Sequence, residues 1–125
     1  VVGVAHNRAL CDAAVALADE GHAAAIVAVT RQGKTARVLS AVRPRLPIVA
    51  AVSDERLARR LMLHRGVMPF VGGEGAMADE VALERELMQR GVVGPGEVVV
   101  FVSVNADLTR SDANFLRIVR LTRPV

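Results

Sequence analysis

Residues 24–29, Ala-Ala-Ile-Val-Ala-Val, form an unbroken apolar run between two segments of helical pattern. A strand that faces water on one side alternates apolar and polar residues, whereas a strand covered on both faces reads as continuous hydrophobe. The run therefore demands helices above and below it, which restricts the chain to layered α/β architectures. Residues 47–52 repeat the pattern as a second strand. Further strands are expected over 66–71, 97–103 and 115–121.

Helices fill the intervals. Asn7 is expected to cap a first helix, with Leu10, Ala14, Leu17 and Ala18 on one face and Gly21 at its end. A second runs over 34–42 and stops near Arg43, because Pro44 disfavours helical geometry in the residue before it. Ser53 is expected to cap a third, with Asp54 and Glu55 in its first turn and Leu57 and Leu61 toward the core. A fourth is expected over 77–90, burying Met77, Val81, Leu87 and Met88 and closing at Gly91. Gly72 to Gly75 read as a flexible loop and Gly94 to Gly96 as a turn.

Strands alternating with helices predict an α/β fold: a three-layer α/β/α domain with a five-stranded mixed sheet in the order 3-2-1-4-5. The last two strands are joined by a loop over 104–113 with no helix, so strand 5 is expected antiparallel to strand 4. Its two charges, Arg117 and Arg120, fall on opposite faces between Phe115 and Leu121, as suits an edge. Ligands of open α/β sheets bind beyond the carboxyl ends of the strands where the winding reverses. Here the reversal lies between strands 1 and 4, which brings the loop after strand 1 and the loop over 104–113 to one crevice.

At 125 residues the chain, 1–125, is expected to be a single domain. It opens on Val1-Val2-Gly3 without methionine, and is expected to be part of a longer polypeptide. Only 2% of the residues are aromatic, too few for the stacking platforms of a single-strand nucleic-acid binder. The net charge is +3, with acids mixed among the arginines, so no nucleic-acid partner is expected. No apolar stretch reaches transmembrane length and no signal-peptide pattern is present, so no membrane partner is expected. Cys11 is the single cysteine, which fits a reducing cytoplasm; it is expected to be a small buried apolar residue.

The loop after the first strand carries the chemistry. Thr30, Arg31, Gln32, Gly33, Lys34 and Thr35 join that strand to a helix that begins at a glycine. The free N–H groups and positive dipole end of a helix start attract anions, and Lys34 is the only lysine in the chain. Two readings stand: a phosphate-binding nest, or a tight strand-to-helix turn with Thr35 merely near the cap. Gly33-Lys34-Thr35 imitates the end of a Walker A loop, but Ala28 occupies the position of the earlier glycine, so a nucleotide triphosphatase loop is rejected. His6, His22 and His64 are scattered without metal-ligand spacing. Arg56, Arg59 and Arg60, and Asp79, Glu80, Glu84 and Glu86, read as solvated helix faces. No nucleophile–base pair or pair of carboxylates is visible, so no catalytic residue and no metal site is assigned to this chain.

The ordered segments resemble the C-terminal domain of pyruvate kinase. They are Ala13-Ala14-Val15-Ala16-Leu17-Ala18, Ala25-Ile26-Val27-Ala28-Val29-Thr30, Gly33-Lys34-Thr35-Ala36-Arg37, Arg43-Pro44, Pro47-Ile48-Val49-Ala50, Ala58-Arg59-Arg60-Leu61, Arg65-Gly66-Val67, and Asn114-Phe115-Leu116-Arg117-Ile118-Val119-Arg120. The resemblance implies a regulatory and assembly domain of an enzyme that transfers phosphoryl from phosphoenolpyruvate to ADP in glycolysis. It implies magnesium and potassium for the whole enzyme, no cofactor in this domain, and catalytic domains elsewhere in the same polypeptide. A phosphorylated effector would sit on the loop of Thr30, Arg31, Gln32, Gly33, Lys34 and Thr35. Homo-oligomers would form through the strand over 115–121. In that family the loop before the last strand is glycine-rich. Here it carries Asp107 and Asp112, which repel an anion, and Arg110, which attracts one. A free-standing phosphometabolite-binding domain, or a purely dimerising one, of the same fold is the alternative.

Overall fold

The computed structural model describes residues 2–72, 79–104 and 114–122, with side chains from His6 onward. The elements run α1 (Val2–Glu20), β1 (Ala25–Val29), α2 (Lys34–Val42), β2 (Ile48–Val52), α3 (Glu55–Leu61), β3 (Val67–Val71), α4 (Glu80–Gln89), β4 (Val98–Ser103) and β5 (Phe115–Arg120). The sheet order is β3-β2-β1-β4-β5. β1 pairs in parallel with β2 (Ile26 opposite Ile48) and with β4 (Ile26 opposite Val100), and β2 pairs in parallel with β3. β5 runs antiparallel to β4, with Arg117 opposite Phe101. The order and strand directions are those expected from the apolar runs.

Successive residues of each strand serve opposite faces. Ile26, Ala28, Ile48, Ala50, Val100 and Val102 pack on one face with Cys11, Ala14 and Ala18 of α1, Ala36 and Leu39 of α2, and Leu57 and Leu61 of α3. Val27, Val49, Ala51, Val99 and Phe101 pack on the other with Leu83 and Leu87 of α4 and with Phe70 and Leu121. β1, β2 and β4 are nearly inaccessible on both faces, which is why they carry no alternation. Switching from three helices on one face to α4 on the other places the reversal between β1 and β4.

Local details depart from the sequence reading. Asn7 lies inside α1, not at its start; it is buried, and its Oδ1 lies 3.4 Å from Cys11 Sγ one turn on. A side-chain amide is acceptable mid-helix when a neighbour a turn away takes its oxygen. The cap of α3 is Asp54, not Ser53: its carboxylate accepts from Arg56 N at 2.8 Å. The fourth helix begins at Glu80, capped by extended Asp79, whose carboxylate accepts from Val81 N; Met77 lies outside the described residues. Val81 is 59% exposed and Leu83 takes the expected core position. Aspartate and serine cap about equally well, so sequence alone places such starts within a few residues.

Candidate anion-binding site

β1 hands the chain to α2 in four residues. Thr30 N donates to Ala51 O at 3.1 Å, the last bond of the strand to its neighbour. Thr30 Oγ1 then accepts from Gly33 N at 2.9 Å, closing the turn. Gly33 adopts φ 83°, ψ 0°, the left-handed region that side chains with a Cβ resist. Its Cα also faces α3: a Cβ there would stand 3.0 Å from Leu57 Cδ1 and 3.0 Å from Leu61 Cδ2. The glycine is required by its backbone angle and by the packing of α3 beneath it.

Beyond Gly33 the first helical N–H groups belong to Lys34, Thr35 and Ala36. Arg37 N is the first to find a helical partner, Gly33 O at 3.0 Å. No side-chain hydrogen bond caps this end, whereas aspartates cap α3 and α4. Among the described residues, the positive end of the α2 dipole is therefore left without a side-chain cap at the carboxyl end of β1, beside β4.

The residues predicted for the site divide by environment. Arg31, Gln32 and Lys34 are exposed around the helix start. Thr30, Gly33 and Thr35 are buried: the Thr30 hydroxyl already accepts inside the turn, and Thr35 O lies 3.9 Å from Cys11 Sγ. Burial, and then the charge of Asp12, push the Cys11 thiol up to about 11, Arg8 opposing, so the thiol is protonated near neutrality and serves as packing. Arg110 and the loop over 105–113 lie outside the described residues. The structure thus brings two cations and three uncapped amides together, a donor set that can hold an oxyanion. Sequence reasoning could not see that Leu57 and Leu61 also claim Gly33, since that contact is set by tertiary packing.

The other charged groups fit the fold. Arg117 stacks over Phe101 and Phe115 and pairs with Glu80 at the start of α4, tying β5 to that helix. Among the described residues its Nε and Nη2 are buried without a hydrogen-bond partner, and burial pulls its pKa down. His6 Nε2 lies 3.1 Å from Asn114 Oδ1, linking α1 to the start of β5. A groove of about 350 Å³ between α4 and β5 includes Glu84, whose carboxyl is raised first by burial and then by Asp79. Among the described residues no helix is long and apolar enough to cross a membrane.

The family described as "Pyruvate kinase, alpha/beta domain" matches residues 8–119. The chain is 34% identical over 114 residues to a cytosolic isozyme of pyruvate kinase from Solanum tuberosum, covering 74% of this chain and 22% of that protein. It is 32% identical over 119 residues to a pyruvate kinase from Trypanoplasma borreli, covering 89% and 24%. Among solved structures, a Cryptosporidium parvum pyruvate kinase in complex with ADP superimposes with TM-score 0.76 at 26% identity, over 91% of this chain and 23% of that one. The chain spans less than a quarter of the length of each of these proteins.

Proposed function

The chain belongs to the pyruvate kinase alpha/beta-domain family, and from that premise we propose that it is the regulatory and assembly domain of a pyruvate kinase and binds a phosphate-bearing effector at the start of α2. The observation that carries the binding reading is the uncapped α2 N-terminus flanked by the exposed cations Arg31 and Lys34. A phosphate there would accept from the amides of Lys34, Thr35 and Ala36. The helix dipole contributes about 0.3–1 kcal/mol to an exposed anion. A charge-assisted bond from Lys34 contributes about 1.5–3 kcal/mol. The lysine therefore dominates the dipole.

Assembly would use β5. It is the outer strand of the sheet, and Ile118 on it is 40% exposed, so a second copy pairing along a two-fold axis would satisfy its free backbone groups. Phosphoryl transfer from phosphoenolpyruvate to ADP would occur in catalytic domains of the same polypeptide. The magnesium and potassium of that reaction would likewise belong to those catalytic domains. The cytosolic character of the Solanum tuberosum relative supports a cytoplasmic location.

Calorimetric titration with a sugar phosphate and with a nucleotide tests the effector site. Saturable binding that weakens about tenfold or more in Lys34→Ala, at least about 1.4 kcal/mol, is expected. Failure of both ligands to bind, or an affinity indifferent to the substitution, would overturn the reading.

A further inference from the structure

At the opposite end of the sheet, a cavity of about 250 Å³ opens between the end of α2 and the turn that enters β3, lined by Ser40, Arg43, Arg45, Leu46 and Arg65 among others. Its walls are fixed to each other. Ser40 Oγ donates to Arg65 O at 2.8 Å, Arg43 N donates to Ser40 O at 3.1 Å, and Ile48 N donates to Gly66 O at 2.9 Å. Arg43 is held at φ 57°, a conformation a bulky residue adopts at a cost.

Three arginines line this cavity and, among the described residues, no carboxylate does. Among the described residues none of the three has an ion-pair partner. The α2 C-terminus offers only about half a negative charge, so roughly two and a half positive charges stay uncompensated. Solvated surface arginines ordinarily stand apart or alternate with acids; three unpaired ones around one concavity with Leu46 and Pro44 on its wall form an anion receptor. The volume lies below the roughly 300–1,000 Å³ of drug-sized ligand pockets. A single small concavity also suits a compact guest better than an extended acidic chain.

We infer that this cavity binds a small organic anion, a carboxylate or phosphate ester on a short apolar body, with Arg43, Arg45 and Arg65 on the charged end and Leu46 and Pro44 against the body. The site shares no residue with the start of α2, so it stands or falls independently of the effector reading.

The test is an amide NMR titration of the chain at low salt, with succinate and glycerol 3-phosphate as probes. Saturable shifts at Arg43, Arg45, Leu46, Arg65 and Gly66 are expected with at least one probe; which probe acts distinguishes carboxylate from phosphate. Arg45→Gln and Arg65→Gln, both at exposed positions, are each expected to weaken that binding about tenfold. Arg59→Gln, outside the cavity, is expected to leave it unchanged. Shifts that do not saturate, shifts confined to Lys34, Thr35 and Ala36, or an affinity unchanged in both glutamine variants would overturn the assignment.

Discussion

Replacing Gly33 by alanine separates the two demands made on that residue. At φ 83° any L side chain costs about 1–2 kcal/mol. The new Cβ would also stand 3.0 Å from buried Leu57 and Leu61, and overpacking a fitted core costs about 1–3 kcal/mol. The sum is about 2–5 kcal/mol, a large part of the roughly 5–15 kcal/mol that holds a domain together. At about 4 °C per kcal/mol the midpoint falls by roughly 8–20 °C. Gly91 supplies the control: its φ is 72° and nothing lies within 4 Å of its would-be Cβ, so Gly91→Ala carries the backbone cost alone. Urea unfolding of wild type and both variants measures the difference. Equal losses for Gly33→Ala and Gly91→Ala would refute the packing argument and return Gly33 to the ligand.

Three other outcomes follow from the same contacts. Because the Cys11 pKa is raised from 9.0 to about 11 in the fold, its contribution is present below the unfolded pKa and is lost as pH rises between about 9 and 11. Stability curves across that window should fall by on the order of 2 kcal/mol in wild type and flatten in Cys11→Ala. Asp54→Ala and Asp79→Ala should each cost about 1 kcal/mol by urea unfolding, the usual loss of a helix cap; two silent substitutions would discredit those caps. Arg117→Met should change stability by no more than about 1 kcal/mol, because it removes two buried nitrogens that have no partner among the described residues while giving up a partly exposed ion pair. A loss above about 2 kcal/mol would show that the Glu80 pair outweighs that relief.

The sheet was legible because its central strands advertise their burial: Ile26 to Ala28 and Val99 to Val102 cannot face water on either side. The direction of β5 was legible because residues 104–113 carry no helical pattern, which leaves an antiparallel return as the simplest connection. What escaped was decided between elements. Leu87 is buried as its periodicity predicts, but Leu83, one turn before it, takes the core position that Val81 was expected to hold. Asn7 looks like a cap until Cys11 and the buried side of α1 are in place. At the candidate site, Arg31 and Lys34 could be read as exposed cations from the loop itself. The demand of Leu57 and Leu61 on Gly33, and the meeting of Arg43, Arg45 and Arg65 across 20 residues of chain, exist only in three dimensions.

Backbone amide shifts during titration with a sugar phosphate and with a nucleotide test the effector site most directly. Large saturable shifts at Lys34, Thr35 and Ala36 are predicted, because those N–H groups are uncapped at the start of α2. Binding that leaves these three amides unmoved, or no binding by either compound, would contradict it.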